Sequence, residues 1–322
     1  MAENKYLRIA ERAIDKYNIK VKELIYFTEE TNIFYKVIDD CGTVYGLKIL
    51  QDESSKIEDN LAEVFLLDTV RKKSDIVIPE VIYSVDGDSI VQIDEGNVNQ
   101  SKRILVYKWI DGESIDEIKN KNYFYNLGVL TAKMHDSTMN VMIPQGINPK
   151  KWNKVFYYRD ERAVYKEEKY KKFVTSEYVE IMDFIIPYLD EKLPVYYQDD
   201  IIQLIHADIN PYNVLYHKDG LRIIDFEDVM LGKPVHDFAI IFFYYKNHNK
   251  LSYMQVKKDF FRGYALVRKI PDFTDFDLEL LMTARRVNFL NYTLFIYDDP
   301  KKDYIDSELP RVKEFINTYI KI

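Results

Sequence analysis

Two short stretches carry side chains whose types and spacing suit phosphate chemistry: His206-Ala207-Asp208-Ile209-Asn210-Pro211-Tyr212-Asn213, and Ile223-Ile224-Asp225-Phe226-Glu227. In the first, an Asp and an Asn stand five residues apart in a loop after an apolar strand, and Asp225 ends the next hairpin twelve residues on. Mg2+ takes a few hard protein oxygens and keeps the rest of its shell for water and phosphate. Asn213 and Asp225 can supply those oxygens, which leaves Asp208 to receive a proton from a hydroxyl. That is the division of labour in phosphoryl transfer, where positioning and charge neutralisation do most of the catalysis.

Such residues need elements to hold them. Residues 4–17 have the apolar spacing of an amphipathic helix. Strand-like segments follow at 22–28, 32–38 and 43–50, the last two joined by the hairpin signal Asp40-Cys41-Gly42. A helix over about 55–73 opens at Ser54-Ser55 and closes in Arg71-Lys72-Lys73, cations that suit its C-terminal dipole. Further strands read at 79–84, 89–94 and 103–109. After Trp109-Ile110-Asp111-Gly112 the spacing turns helical, at 123–138, 175–192, 235–247, 252–269, 275–296 and 310–320, broken by short β-like runs around Asp219-Gly220. A β-rich third thus precedes a mainly helical two-thirds, with the seam near residue 110 and no repeat or low-complexity linker.

The order H-x-D-x-x-x-x-N and then I-D-F resembles the catalytic loop and metal-binding Asp segment of kinases. Its flavour is that of the aminoglycoside phosphotransferase and choline kinase-like small-molecule kinases. Those typically read H-G-D-x-x-x-x-N-V-L, then I-D-F/W-E/D, then G-x-P-x-x-D-L-A. Here the corresponding runs are His206 to Leu215, Ile224 to Asp228, and Gly232-Lys233-Pro234-Val235-His236-Asp237-Phe238-Ala239. The resemblance covers most of the chain and implies an α+β, bilobal protein-kinase-like fold. Its N-lobe (1–108) would be a small antiparallel β-sheet that binds nucleotide, and its larger, mainly helical C-lobe (109–322) would hold catalytic residues and acceptor. ATP and Mg2+ would be the cofactors.

The resemblance also assigns residues. Val44-Tyr45-Gly46-Leu47-Lys48-Ile49 looks like the third-strand lysine segment, so Lys48 would hold the nucleotide's α- and β-phosphates, with Glu63 as its partner and Glu58 as the competing choice. Tyr107, Lys108 and Trp109 stand where the family's hinge binds adenine. Thr31-Asn32 replaces the glycines of the phosphate-covering loop, next to two carboxylates, Glu29 and Glu30. His206 reads as a buried histidine that orients the loop, Asp237 as a hydrogen-bond acceptor for that loop's backbone, and His135, in Leu127 to His135, as core packing.

Departures from protein kinases narrow the acceptor. Ala207 stands where an arginine would read activation-loop phosphate, Glu227 replaces the glycine of D-F-G, and little chain separates Asp225 from the helix near Val235. A small-molecule hydroxyl is the expected acceptor, of amino alcohol, sugar or aminoglycoside type. A stress-response-type protein Ser/Thr kinase and a non-catalytic spore-coat-like relative are the alternatives. Val77 to Val81, Gly96, Pro144-Gln145-Gly146 and Lys151-Trp152 resemble a homoserine kinase type II-like subgroup. A helical insert at 150–192 would help to build the acceptor pocket, and Asp199, Asp200, Glu227 and Asp228 could receive an amine.

Composition closes off other classes. With 45 Lys+Arg against 53 Asp+Glu, the net charge of −8 argues against a protein that mainly grips nucleic acid or an anionic membrane. Apolar residues at 47% exclude global disorder. Cys41 is the only cysteine, which permits no intrachain disulfide and fits a reducing compartment. The N-terminus lacks the apolar core of a signal peptide, and no apolar run nears the roughly 18 residues of a membrane span. A cytoplasmic enzyme with a small-molecule partner, no nucleic acid and no membrane partner is the expectation, and the sequence assigns no oligomeric state.

Overall fold

The computed structural model describes residues 2–51, 55–94, 101–114, 122–158, 161–198, 202–246, 250–296 and 302–320. In chain order the elements are α1 (Ala2–Ile14), β1 (Val21–Glu29), β2 (Ile33–Asp39), β3 (Val44–Leu50), α2 (Ile57–Lys73), β4 (Glu80–Ile82), β5 (Val91–Asp94), β6 (Ser101–Lys108) and β7 (Glu113–Ser114). There follow α3 (Tyr123–Thr138), β8 (Lys150–Lys151), α4 (Ser176–Lys192), β9 (Gln203–Ile205), β10 (Val214–His217), β11 (Gly220–Ile223) and β12 (Met230–Gly232). The chain closes with α5 (Pro234–Tyr245), α6 (Tyr253–Tyr264), α7 (Asp275–Ile296) and α8 (Lys302–Phe315). Two compact units result. One comprises Met1–Asp116, Met142–Pro149 and Tyr212–Val229; the other comprises Glu117–Val141, Lys150–Pro211 and Met230–Ile322.

The first unit is built on an antiparallel sheet in the order β1-β2-β3-β6-β4, with β5 also on β6. Alternation along the strands sorts its faces. Ile33, Tyr35 and Val37 of β2 line up with Leu47 and Ile49 of β3 and with Ile104 and Val106 of β6, and α1 buries this face under Ile9, Ala10, Ala13 and Ile14. The other parity carries Lys48, Arg103 and Tyr107 to the opposite face, where α2 lies. Arg103 donates to Asn60 and to the Ser55 carbonyl (2.7 Å), and Tyr107 donates to Glu63 (2.7 Å). The hairpin β10–β11, with β7 at its edge, completes the unit. Its turn needs Gly220 at φ +136°, a region that only glycine enters freely.

The second unit is mainly helical. Helices α3 and α6 cross at backbone contact: a Cβ on Gly128 would stand 2.0 Å from the Phe260 carbonyl oxygen, and one on Gly263 would stand 1.9 Å from that of Tyr125. Helix α5 opens with Pro234, whose fixed φ suits a first helical position, and packs on α6 and α7. A small sheet, β8-β12-β9, ends in the segment that carries Asp208. Among the described residues no helix is long and apolar enough to cross a membrane.

Three sequence-based expectations change. Helix α2 is capped at Lys56, whose N–H donates to Asp59 (3.0 Å), and not at Ser54-Ser55; Ser54 lies outside the described residues. Helix α8 starts at Lys302 and carries Pro310 inside it, so the proline is not its first-turn residue. Among the described residues, the segment 150–192 is α-helical only from Ser176, with one short 3-10 turn at Glu168–Tyr170 before it. Before that, Trp152, Val155, Tyr157, Val164 and Tyr165 are buried from irregular backbone, and burial without a period of 3.6 requires no helix. The short strands β7, β8, β9 and β12 offer too few residues to show a period of two.

Candidate active site

Lys48 is fully enclosed, 1% exposed, on the α2 face of β3. Its Nζ lies 3.6 Å from Glu63 Oε2 and 3.0 Å from Glu227 Oε2. The sequence left Glu58 and Glu63 as candidates for this pairing, and the structure takes Glu63. Burial works against the charge of Lys48, but the carboxylates of Glu63, Glu227 and Asp225 more than offset it and hold its pKa above the ordinary lysine range. Tyr107, expected near the base, directs its hydroxyl onto Glu63 Oε1; burial first, and then the Glu63 charge, raise its pKa.

The tip between β1 and β2 meets the same cluster. Thr31 donates to Glu227 Oε1 (3.0 Å), and Asn32 Nδ2 donates to Glu227 Oε2 (2.6 Å). Asn32 is itself fixed, because its Oδ1 accepts the Gln51 N–H (3.1 Å). The carboxylate found among the phosphate-loop donors is therefore that of Glu227; Glu29 and Glu30 are exposed. Glu227, one of the carboxylates that could receive an amine, here receives the ammonium of Lys48. Asp199 and Asp200, the other candidates for that role, lie outside the described residues, and Asp228 is buried. Arg103 and Asn60, which anchor α2 and with it Glu63, carried no signal beyond ordinary strand and helix polarity.

Asn213 and Asp225 flank the open end of the β10–β11 hairpin: Val214 pairs with Ile223, and the Asn213 carbonyl accepts the Ile224 N–H (3.0 Å). Asn213 is buried, and Asp225 is exposed in the left-handed region at φ +63°, a conformation that aspartate tolerates better than most residues. Lys108, at the end of β6, is exposed. Trp109 packs edge-on against Phe27 (5.1 Å) with Lys36 over its ring.

These groups suit a metal–nucleotide. The Lys48 ammonium, the Thr31 hydroxyl and the Asn32 amide already hold an anion, the Glu227 carboxylate, with donors of the kind that hold phosphate. Asn213 and Asp225 present hard oxygens of the type Mg2+ prefers. One ammonium stands among three carboxylates, those of Glu63, Glu227 and Asp225, which leaves the cluster short of positive charge.

In the second unit, Asp208 is held from both sides. Its Oδ1 accepts Arg285 Nη2 (2.7 Å), and its Oδ2 accepts Asn210 Nδ2 (2.8 Å). The backbone beneath it is locked. Ala207 sits at φ +65°, which costs an L-residue roughly 1–2 kcal/mol. Asp237 Oδ1 and Oδ2 accept the N–H groups of Ala207 (2.7 Å) and His206 (3.2 Å), as the sequence led us to expect. Buried His206 accepts the Asp208 N–H on Nδ1 (3.2 Å). His135 does more than fill the core: its Nε2 donates to Asp237 (2.8 Å), and its Nδ1 accepts from Tyr264 (3.0 Å). Burial holds His135 below the ordinary histidine pKa, opposed by Asp237, so a neutral ring meets an ionised carboxylate.

No curated protein sequence matches the chain. Solved structures do. An amicoumacin kinase in complex with AMP-PNP, Ca2+ and Ami aligns at a TM-score of 0.79 and 18% identity, over 99% of this chain and 96% of that one. A microcompartment-associated aminopropanol kinase aligns at 0.69 and 19%, over 95% and 94%, and an ethanolamine kinase from Plasmodium vivax at 0.62 and 17%, over 94% and 85%. At such identities the likeness is one of fold, and the fold is the protein-kinase-like fold of these enzymes. The homoserine kinase type II-like subgroup gains no support. The sequence profile of the phosphotransferase enzyme family (APH) spans residues 34–270, most of the chain, and the chain belongs to that family.

Proposed function

We propose that this phosphotransferase is a small-molecule kinase that moves the γ-phosphate of ATP, with Mg2+, to a hydroxyl of an amino alcohol, sugar or aminoglycoside-type acceptor. The observation that carries the reading is the buried Lys48 ammonium, joined by Thr31 and Asn32 in gripping one anionic group. The amicoumacin kinase that shares the fold holds an ATP analogue and a divalent cation, which supports the same cofactors here.

In this reading residues 1–108 bind nucleotide and 109–322 bind the acceptor and carry catalysis. Lys48, oriented by Glu63 and through it by Tyr107, holds the α- and β-phosphates. Thr31 and Asn32 cover them, and Glu227 gives up their donors when phosphate arrives. Main-chain groups at Lys108 and its neighbours receive adenine, with Trp109 beside it. Asn213 and Asp225 would hold Mg2+, which would supply positive charge against that developing on the phosphate. Asp208 accepts a hydrogen bond from the acceptor hydroxyl and takes its proton as the oxygen–phosphorus bond forms and the bond to the leaving ADP breaks. Asp208 then returns the proton to solvent.

The test is ADP release by the full chain with ATP and Mg2+ over a panel of amino alcohols, sugars, nucleosides and aminoglycosides. Acceptor-dependent ADP release, with phosphorylated acceptor seen by mass spectrometry, is the expected result. A chain that releases ADP only with protein acceptors, or that neither binds nor turns over any nucleotide at millimolar concentration, overturns it.

A further inference from the structure

Helix α7 buries two consecutive arginines with different partners. Arg286 pairs with Glu308 of α8 (2.6 Å), and Glu308 also bonds Arg311, a staple between the two helices. Arg285 turns elsewhere. Its side chain is 3% exposed, one nitrogen donates to Asp208 and the other to the Tyr157 hydroxyl, and its guanidinium carbon lies 4.2 Å from the ring centroid of Phe289. The guanidinium is thus fixed at two edges and one face, while its Nε has no hydrogen-bond partner.

A buried ion pair is weak evidence for stability, because desolvation of the charges offsets their attraction and an apolar replacement is often as stable. Packing alone therefore gives little reason for an arginine here. Geometry gives a stronger one. A guanidinium presents its donors in a rigid fork, which fixes both the distance and the plane of a carboxylate. Each carboxylate oxygen has two acceptor sites; Arg285 takes one on Oδ1 and Asn210 one on Oδ2. Asp208 keeps 16% exposure of its side chain through which a hydroxyl can reach it.

We propose that Arg285 is a positioning residue for phosphoryl transfer: its guanidinium, seated on Phe289 and Tyr157, fixes the carboxylate of Asp208 in the orientation that receives the acceptor hydroxyl. The proposal rests on the assignment of Asp208 as that receiving carboxylate. Arg285 does not touch the acceptor in this account; it acts through Asp208. Displacement of a reacting group by about 1 Å can slow a reaction roughly 10²-fold, and that is the effect the fork prevents. A lysine would preserve the charge but not the plane.

The experiment compares wild type, Arg285→Ala, Arg285→Lys and Tyr157→Phe as full chains with ATP, Mg2+ and the acceptor giving the fastest ADP release. Arg285→Ala should lower kcat by roughly 10²-fold while both KM values stay within about threefold. Added guanidinium at a non-denaturing concentration should restore part of that kcat, and methylammonium should not, since it lacks the fork. Arg285→Lys should be intermediate, and Tyr157→Phe should lose only a few-fold; these two carry the test if Arg285→Ala does not fold. A rise in acceptor KM at unchanged kcat would make Arg285 a substrate-binding residue and overturn the proposal. So would parallel loss of kcat, nucleotide affinity and melting temperature without guanidinium rescue, the signature of a packing residue. Normal turnover in Arg285→Ala defeats the proposal alone, whereas a wild type that turns over no acceptor defeats the kinase reading and the role of Arg285 with it.

Discussion

The ammonium of Lys48 lies closer to Glu227 (3.0 Å) than to Glu63 (3.6 Å), and the same Glu227 carboxylate also receives Thr31 and Asn32. A nucleotide phosphate using those donors must take them from Glu227. Removing that negative charge should therefore tighten metal-free nucleotide binding. Titration of Glu227→Gln with ATP in EDTA should give a Kd several-fold to about tenfold below wild type, the scale of one charge at close range in a protein environment. With Mg2+ present the gain should shrink, because the cation already screens the carboxylate. Equal Kd values in EDTA would mean that Glu227 and phosphate do not share these donors.

His236 provides a pH test within the second unit. Burial pushes its pKa down to about 4 from 6.5; its ring lies among Trp152, Tyr196 and Tyr197, and its Nε2 lacks a partner. A depressed histidine pKa means that the unfolded chain binds the extra proton first. Its contribution is complete above pH 6.5 and is lost as pH falls toward 4, an effect of up to about 3 kcal/mol. Buried His135, also shifted down, acts in the same direction. Melting temperature should fall between pH 7.5 and 5, and the fall should be smaller in His236→Phe. An identical fall in that variant would show that His236 titrates normally.

The α3–α6 crossing predicts a steric cost. A Cβ at Gly263 has backbone 1.9 Å away, so Gly263→Ala must push the helices apart, at a cost of roughly 1–3 kcal/mol of overpacking. Gly46→Ala is the control, with its nearest neighbour, a Trp109 ring carbon, at an ordinary 3.6 Å. Denaturant midpoints should drop for the first and stay near wild type for the second.

Much of this was legible in the sequence where one signal sufficed. The hairpin signal Asp40-Cys41-Gly42 marked the pair β2 and β3, and the family resemblance marked Lys48 on β3. The Asp219-Gly220 turn marked the hairpin whose open end carries Asn213 and Asp225, and Asp237 met the backbone of the Asp208 loop as its position suggested. What escaped were pairings across long separations. Nothing local links Glu227 to Thr31 and Asn32, 195 or more residues earlier, or Arg285 to Asp208, 77 residues before it. Arg285 reads as one more charge on a helix until its neighbours are known. The irregular 150–175 segment failed for a related reason, since aromatic burial there follows tertiary packing and not a local period.

Two carboxylates are proposed to divide the work: Asp208 to receive the acceptor proton, and Asp225 to hold the metal. The most direct measurement sets kcat with the true acceptor beside the Kd for ATP with Mg2+, in Asp208→Asn and Asp225→Asn. Asp208→Asn keeps volume and hydrogen-bonding reach but removes the base, so turnover should fall roughly 10²–10⁴-fold with Kd within a few-fold of wild type. Asp225→Asn should weaken metal–nucleotide binding and turnover together. Near-normal turnover in Asp208→Asn, or equal loss of nucleotide binding in both variants, would contradict the account.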